Sequence, residues 1–248
     1  MRHWNRGRKT VRNFLLALVL ALLVYASQGF PPYTVRGMCL RIGHDYLLEE
    51  PEPLYVQRDW RHYAANRYAR YTMVAVRSGE TYSFFRYEDG LLGSQRDRSW
   101  FQPVFGEGAV CVARGGRIYA AGAFENAVSA TAVVRVEKGP EPDGTAMSRA
   151  FTLTGERLAE DVFAFPYQAE RSQAFWEAWE GGDYDDRDLN LEELVELWYR
   201  EPAEDADPGV YRMLDEELPC TVTLYDGAGE VLKTVSLTVT TDGIRSWW

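Results

Sequence analysis

The segment CTVTLYDGAGEVLKTVSLTVT, residues 220–240, contains two runs in which apolar and polar residues alternate. Alternation over about four to eight residues is typical of a strand with one buried face. Between the runs, residues 226–230 have the sequence Asp-Gly-Ala-Gly-Glu, which is rich in residues that tolerate positive φ. The segment therefore predicts an antiparallel β-hairpin over residues 219–240.

Further segments carry the same strand signal. Residues 128–137 alternate with a period of two. Residues 71–77 and 81–87 flank a Ser-Gly-Glu turn, and residues 109–113 and 118–123 flank an Arg-Gly-Gly-Arg turn. Short strands joined by tight turns favour antiparallel pairing over βαβ units. We therefore predict a mainly β (α+β) fold whose principal part is an antiparallel, β-sandwich-like domain.

A helical insertion is expected within this domain, at about residues 167–200. The pattern predicts one helix over residues 166–180, which the following glycines terminate. A second helix is predicted to run from Leu191 to Arg200. Its start is marked by Asn190 followed three residues later by Glu193, the spacing of a helix-capping box.

The N-terminus carries a membrane-targeting signal. Basic residues crowd its first dozen positions, and residues 14–26 then form an uncharged run of thirteen. As a helix this run is about 20 Å long, shorter than the roughly 30 Å core of a bilayer, which favours a signal peptide cleaved near Ala26. Extended to Phe30, the run reaches the lower limit for a membrane span and favours a retained signal-anchor. Both alternatives place the rest of the chain outside the cytoplasm.

The chain is accordingly expected to have three segments. Residues 1–30 form the basic n-region and the signal-anchor or signal-peptide helix. Residues 31–138 form an antiparallel β region, and residues 139–248 form a β region with the helical insertion. The last two are expected to pack together as one extracytoplasmic domain. The predicted location is the cell membrane, with a single pass and a cytoplasmic N-terminus, or alternatively the exterior after cleavage.

The charge of the chain excludes one class of partner. The whole sequence has 27 basic and 37 acidic residues, but residues 1–29 hold five of the basic ones and none of the acidic ones. The part after the leader is therefore strongly acidic. Phosphate backbones repel such a domain, so nucleic acid is not expected as a partner.

The three cysteines, Cys39, Cys111 and Cys220, are far apart in the sequence and odd in number. One disulfide at most is possible among them. Buried free thiols that pack as small apolar side chains are one interpretation. A Cys111–Cys220 bridge is the other, because both residues lie in predicted strands. No pair has the spacing of metal ligands.

The sequence predicts no catalytic residues, no cofactor and no metal site. It contains neither a G-x-S-x-G nor an S-x-x-K motif and no glycine-rich phosphate loop. The acidic run over residues 183–190 resembles a calcium loop only superficially, because Arg187 falls at a ligand position and Leu194 replaces the bidentate glutamate. The run is better interpreted as an acidic approach to a helix N-terminus, which the helix dipole favours.

Two groups of residues are candidate contacts for a ligand or partner. The first is the most basic segment after the leader, in which arginines alternate with aromatic rings. Its contact residues are Arg58, Trp60, Arg61, His62 and Arg67. Such a patch suits an acidic peptide, a carboxylated glycan or a lipid headgroup. The alternative is a surface helix over residues 59–67 whose arginines pair with acidic residues elsewhere.

The second group consists of Trp176 and Trp179 in the first predicted helix of the insertion. Tryptophan is enriched where proteins contact partners or carbohydrates. The alternative for each ring is packing against the sheet.

One sequence pattern resembles a known group of proteins. It consists of Ile118 to Gly122, then Val128 to Val136, then the Asp226-Gly227 turn with Leu232 after it. This order is similar to uncharacterised exported or membrane-anchored proteins of Gram-positive bacteria that have an immunoglobulin-like or carboxypeptidase-regulatory-like sandwich. The resemblance covers residues 108–240 and implies a fold and a location. It implies no catalytic residues.

These observations lead to one principal functional hypothesis and two alternatives. The principal hypothesis is a membrane-anchored extracytoplasmic protein that acts as a non-catalytic binding module at the cell envelope. Its partners would be the membrane, through the N-terminal helix, and an envelope protein or glycan. The alternatives are an envelope hydrolase that uses Asp/Glu chemistry and an accessory subunit of a membrane complex.

Overall fold

The computed structural model describes residues 2–27, 31–64, 67–91, 93–96, 105–113, 116–138, 147–167, 171–181, 185–202, 211–213 and 216–244. Over these residues the fold is mainly β, with antiparallel sheets, an apolar N-terminal helix and a few further helices. The predicted fold class is therefore confirmed.

The elements follow one another along the chain in this order. They are α1 (Arg2–Ser27), α2 (Val35–Tyr46), β1 (Glu52–Ala64), β2 (Arg67–Ser78), β3 (Thr81–Gly90), β4 (Gly93–Arg96), β5 (Gly108–Ala113), β6 (Arg117–Gly122), β7 (Ser129–Lys138), β8 (Met147–Thr154), β9 (Glu156–Ala159), β10 (Val162–Pro166), α3 (Gln173–Trp179), α4 (Leu191–Trp198), β11 (Arg200–Pro202), β12 (Tyr211–Met213), β13 (Glu217–Tyr225), β14 (Val231–Thr240) and α5 (Thr241–Ile244). A single 3-10 turn at Asp186–Asp188 precedes α4.

Helix α1 is long and apolar enough to cross a membrane. Its segment Gly7–Ala26 has 20 residues with a mean hydropathy of 1.6, and none of it is buried against the rest of the chain. At 1.5 Å per residue this segment is about 30 Å long, close to the thickness of a bilayer core. The predicted N-terminal apolar helix is thus confirmed, and the helix is longer than its uncharged run.

Two compact units make up the chain: residues 1–74 with 85–102, and residues 75–84 with 103–248. The first contains α1, α2 and most of the sheet β1-β2-β3-β4. The turn between β2 and β3 belongs to the second unit. The boundary predicted at residue 138 stays a prediction.

Helix α2 lies in the segment where the sequence predicts only strands. The Thr34 side chain caps its N-terminus by accepting a hydrogen bond from the Gly37 N–H at 3.1 Å, and Leu47 ends it in the left-handed conformation. Met38 and Ile42 on its inner side are buried, and Tyr87 of β3 donates its hydroxyl proton to the Met38 carbonyl at 3.2 Å. The helix therefore depends on packing as well as on its cap. Gly37 and Gly43 within it weaken its signal in the sequence.

The prediction of a helix over residues 59–67 is wrong. Residues 59–64 belong to strand β1 and Arg67 begins strand β2. The physical reason is composition, because Tyr55, Val56, Trp60 and other β-branched or aromatic residues favour an extended backbone.

In the second unit, two four-stranded antiparallel sheets have the orders β5-β6-β10-β9 and β14-β13-β7-β8. The hairpin predicted over residues 219–240 is β13–β14, in which Cys220 pairs with Leu237 and Val222 pairs with Val235. The predicted hairpin at residues 109–123 is β5–β6, with Val110 opposite Ala120. Both predictions are confirmed.

One apolar core lies between these two sheets and the helical insertion. Phe163 and Phe165 of β10 are fully buried in it, together with Val134 of β7 and Val222 of β13. The insertion contributes further buried residues, namely Phe175, Ala178, Leu191, Leu194, Val195 and Trp198. The unit is thus a β-sandwich-like domain whose helices share the core of the sheets, as the sequence predicts.

The insertion is shorter and more irregular than predicted. Pro166, where the predicted helix begins, is instead the last residue of β10. Helix α3 begins only after Ser172, whose hydroxyl accepts a hydrogen bond from the Phe175 N–H at 3.1 Å. Helix α4 ends at Trp198, and Arg200 starts β11 rather than ending a helix. Strands β8, β9 and β10 were not predicted from the sequence.

Candidate binding cleft

An open cleft of about 550 Å³ lies in the second unit, where strand β8 meets the helical insertion. Side chains and backbone from β8, from the end of β10, and from the approaches to α3 and α4 line it. The lining residues are Arg149, Phe151, Thr152, Leu153, Thr154, Pro166, Tyr167, Ser172, Arg187, Asp188, Leu189, Asn190, Leu191 and Glu193.

Strand β8 supplies the cationic and aromatic wall of the cleft. It is the last strand of its sheet, so its outer edge is not paired with another strand in that sheet. The guanidinium carbon of Arg149 lies 4.5 Å from the centre of the Phe151 ring, and its Nη2 donates to the Arg187 carbonyl at 3.2 Å. Its Nη1 is buried and meets no hydrogen-bond acceptor among the described residues. Arg149 is therefore a cation held in place by the Phe151 ring and the Arg187 carbonyl.

The opposite wall is fixed by the capping box of α4. The Asn190 side chain accepts a hydrogen bond from the Glu193 N–H at 3.0 Å, and the Glu193 carboxylate accepts one from the Asn190 N–H at 2.8 Å. The same carboxylate also accepts a hydrogen bond from the Ser172 N–H, at the start of α3. Glu193 is fully buried and holds the ends of both helices, so its role is structural.

A buried ion cluster supports this wall from behind. Nη2 of Arg171 contacts the Glu192 carboxylate at 3.0 Å and also the Glu196 carboxylate. Its guanidinium carbon lies 4.5 Å from the centre of the Phe175 ring. The segment before α3 is thereby tied to one face of α4, and the cleft is preorganised.

Tyr167 at the floor of the cleft is also a structural group. Its hydroxyl donates a hydrogen bond to the Ile244 carbonyl at 3.0 Å. Burial raises the pKa of Tyr167 strongly, and the nearby Glu192 carboxylate raises the pKa further. The phenol therefore stays protonated over the physiological range and serves as a ring and a hydrogen-bond donor.

The acidic run before α4 caps a turn. The carboxylate of Asp185 accepts hydrogen bonds from the Arg187 N–H at 2.9 Å and from Arg187 Nε at 3.2 Å. The backbone hydrogen bond from Arg187 lowers the pKa of Asp185. Among the described residues no group of three or more His, Cys, Asp or Glu side chains could hold a metal ion. Asp183 lies outside those residues.

None of the candidate contacts predicted from the sequence is among the described lining residues of this cleft. Arg58 is exposed on β1, and the side chains of Trp60, Arg61, His62 and Arg67 lie outside the described part of the structure. Their role stays a prediction.

The two predicted tryptophan contacts differ from each other. Trp176 is 47% exposed on α3. Trp179 is half-buried, packs against the core and has its ring centre 5.6 Å from that of Phe175. Trp198, on α4, is buried. Trp176 is therefore the one of these three that solvent reaches readily.

All three cysteines are free and buried, so the alternative of a Cys111–Cys220 bridge is not realised. Burial raises the pKa of Cys220 to about 12, and burial also raises the pKa of Cys39. These thiols behave as small core side chains, the other interpretation that the sequence allows.

The sequence reasoning missed the cleft residues because they come from distant segments. The available signal was the alternation of Met147, Arg149, Phe151 and Leu153, which predicts a strand with one inward face. The facing wall follows more than thirty residues later, at Arg187. Only the fold brings the two together.

No protein-family model matches this chain, and no curated protein and no solved structure matches it either. The resemblance to exported Gram-positive proteins therefore stays a prediction.

Proposed function

We propose that the protein is a non-catalytic binding module at the cell envelope, anchored in the membrane by α1 and carrying its other residues on the outer side. The observation that carries this proposal is the exposed segment Gly7–Ala26, whose length and hydropathy suit a bilayer. An apolar helix of this kind in water would expose a surface that soluble domains bury.

The orientation follows from charge. Basic residues are concentrated in the first twelve positions, while the part beyond α1 is strongly acidic. Positively charged flanks stay in the cytoplasm during insertion. The N-terminus is therefore proposed to be cytoplasmic, and the residues of both compact units beyond α1 are proposed to be extracytoplasmic.

The cleft is the proposed ligand site. Its lining residues include Phe151 and Tyr167, the threonines Thr152 and Thr154, and Arg149, whose guanidinium carbon lies over the Phe151 ring. An aromatic ring can stack on the flat apolar face of a sugar, and small polar groups can hydrogen-bond to the sugar hydroxyls. A lining with both kinds of group therefore suits a sugar chain. We therefore propose a glycan of the envelope, with a carboxylate that meets Arg149, as its ligand.

Reporter fusions at the C-terminus test the location. We expect a C-terminal alkaline phosphatase, which is active only outside the cytoplasm, to be active, and a C-terminal green fluorescent protein to be dark. The reverse result would overturn the proposal. The mass of the mature N-terminus then distinguishes a retained anchor from cleavage near Ala26.

Titration of the full-length protein in nanodiscs with soluble peptidoglycan oligosaccharides tests the ligand. Phe151→Ala and Arg149→Met should each weaken binding by about ten-fold, which corresponds to about 1.4 kcal/mol. Leu232→Ala, at an exposed apolar residue of β14, is the matched control and should bind like the wild type. Equal binding by all four proteins would exclude the cleft as the ligand-binding site. Chromatography of the incubated glycan tests the hydrolase alternative, which predicts shorter fragments.

A second candidate function, an accessory subunit of a membrane complex, has one observation in its favour. Trp176 presents a large exposed ring on α3, next to the buried Phe175 at a ring-centre distance of 5.2 Å. Exposed tryptophans are enriched in partner contacts. This function predicts that a stoichiometric membrane protein co-purifies with the wild type and is lost from Trp176→Ala.

A further inference from the structure

Helix α2 carries large apolar side chains on the side that faces solvent. Leu40 is 65% exposed, and Leu47, which caps the helix, is 91% exposed. Tyr33, just before the helix, is 61% exposed. Arg36 is exposed one helical turn before Leu40 and so lies on the same side. We call Tyr33, Arg36, Leu40 and Leu47 the juxtamembrane face.

The other side of α2 is fixed to the first unit. Met38, Cys39 and Ile42 are buried, and the Tyr87 hydroxyl donates to the Met38 carbonyl at 3.2 Å. The buried and the exposed positions lie on opposite sides of the helix. Both sides carry apolar residues. Core packing accounts for the inner side and leaves the exposed leucines without an explanation.

The structure joins this face directly to the membrane helix. The Tyr25 hydroxyl, near the end of α1, donates to the Pro31 carbonyl at 2.9 Å. The Tyr25 and Tyr33 rings lie 5.8 Å apart, centre to centre. Tyrosines at the end of a membrane span are typical of the headgroup layer. If α1 spans the bilayer, Tyr33 and the start of α2 must lie at that layer as well.

We propose that α2 lies on the outer surface of the bilayer that α1 spans, with its juxtamembrane face in the headgroup region. Tyr33, Leu40 and Leu47 would enter the interface, and Arg36 would meet lipid phosphates. The exposed Glu49 and Glu50 that follow Leu47 would end the contact, because anionic headgroups repel them. The proposal rests on the proposed function in that it needs α1 to be a membrane span.

The charges along α2 are compatible with this contact. Asp45 is paired with Arg41 at 3.2 Å and lies 3.5 Å from Arg96, so its charge is compensated within the unit. Helix α2 itself contains no other acidic residue. Its solvent side is therefore basic and apolar, which is the composition of interfacial helices.

Depth-dependent quenching of a fluorophore on the full-length chain tests this inference. The protein is reconstituted in vesicles of phosphatidylethanolamine and phosphatidylglycerol that contain a doxyl-labelled lipid. An NBD label is placed at Leu40→Cys or Leu47→Cys, at Leu18→Cys within α1, and at Val231→Cys, an exposed position of the second unit. The three native cysteines are buried and can remain, and wild-type protein measures their background labelling.

We expect the labels at 18, 40 and 47 to be quenched several-fold more than the label at 231. If position 18 is quenched and positions 40 and 47 are not, α1 spans the bilayer and the proposed surface contact is wrong. If position 18 is not quenched, the membrane anchor itself is wrong. Both tested residues of α2 are exposed, so their replacement leaves the core intact, and the second position checks the first.

Discussion

Arg171 and Glu192 form a buried ion pair, with Nη2 of the arginine 3.0 Å from a carboxylate oxygen of the glutamate. Their side chains are only 3% and 1% exposed. Arg171 precedes α3, while Glu192 lies in the first turn of α4. Because Arg171 also contacts Glu196, one cation holds two carboxylates and fixes one wall of the cleft.

Removal of this cation should destabilise the second unit strongly. Arg171→Met leaves two carboxylates without their common partner, and breaking a buried pair costs about 3–5 kcal/mol. Arg187→Met is the control, since its pair with Asp185 is largely exposed and should contribute little. The measurement is the free energy of unfolding from denaturant titrations of the full-length protein in detergent. Equal stability of the two variants would contradict the prediction.

The double variant Arg171→Met/Glu192→Gln separates charge from packing. It removes one of the two uncompensated carboxylates, so we expect it to be more stable than Arg171→Met alone. A double variant as unstable as the sum of the single variants would show that lost packing against Phe175 is the main effect.

The capping box of α4 should contribute independently of the ion pair. Asn190→Ala removes the side chain that accepts the Glu193 N–H and should lower the free energy of unfolding by about 1 kcal/mol. Asn190→Asp keeps an acceptor oxygen and should retain most of the stability. Thermal unfolding of the three proteins checks this order. A loss of the same size in Asn190→Asp would mean that the amide group makes a contact other than the cap.

This cap also illustrates which features the sequence could predict. Asn190 and Glu193 are three residues apart, so their interaction is local and its pattern is visible in the sequence. The hairpins β5–β6 and β13–β14 are local in the same sense, because a turn and an alternating pattern determine their pairing.

Features that depend on distant contacts could not be predicted in this way. Helix α2 is stabilised by packing against β3 through Met38 and Tyr87, which are far apart in the sequence. The strand at residues 59–64 is the end of β1, and its pairing with β2 adds to the preference of its aromatic residues for an extended backbone. The cleft needs β8 and the approach to α4 together, so the pattern of neither segment indicates it alone.

The conformation of Gly93 should be essential to the first unit. Its φ is +106°, and a Cβ at this position would lie 2.6 Å from the Pro31 carbonyl oxygen. Gly93→Ala should therefore cost about 2 kcal/mol or more, because both the backbone conformation and this contact are incompatible with a side chain. The substitution would also weaken the hydrogen bond from the Ser94 N–H to the Pro32 carbonyl, which is 2.7 Å long.

Gly79 provides a matched control for this substitution. Its φ is +59°, but no atom lies within 4 Å of the position of an added Cβ. Gly79→Ala should therefore cost about 1 kcal/mol, from the left-handed conformation alone. Thermal unfolding of both variants measures the difference. If Gly79→Ala were the less stable of the two, the close approach to Pro31 would not be the determining factor.

The buried Cys220 thiol should make the stability of the protein depend on alkaline pH. Burial raises the pKa of Cys220 to about 12 from its ordinary value of 9.0. The folded state therefore holds a proton that the unfolded state releases above pH 9. The resulting stabilisation is fully present below the unfolded pKa and is lost as the pH rises from about 9 to about 12. Between pH 9 and pH 10 the loss should be about 1 kcal/mol.

Denaturant titrations at a series of pH values test the direction of this change in stability and the pH range over which it occurs. Cys220→Ala should be less stable than the wild type near neutral pH, because it leaves a cavity, yet its stability should fall less steeply between pH 9 and pH 10. Val222→Ala makes a comparable cavity two residues away without removing a titrating group, so it should keep the wild-type slope. Tyrosines with raised pKa values titrate equally in all three proteins and cancel in the comparison. Parallel pH profiles for wild type and Cys220→Ala would show that the thiol is not the group responsible.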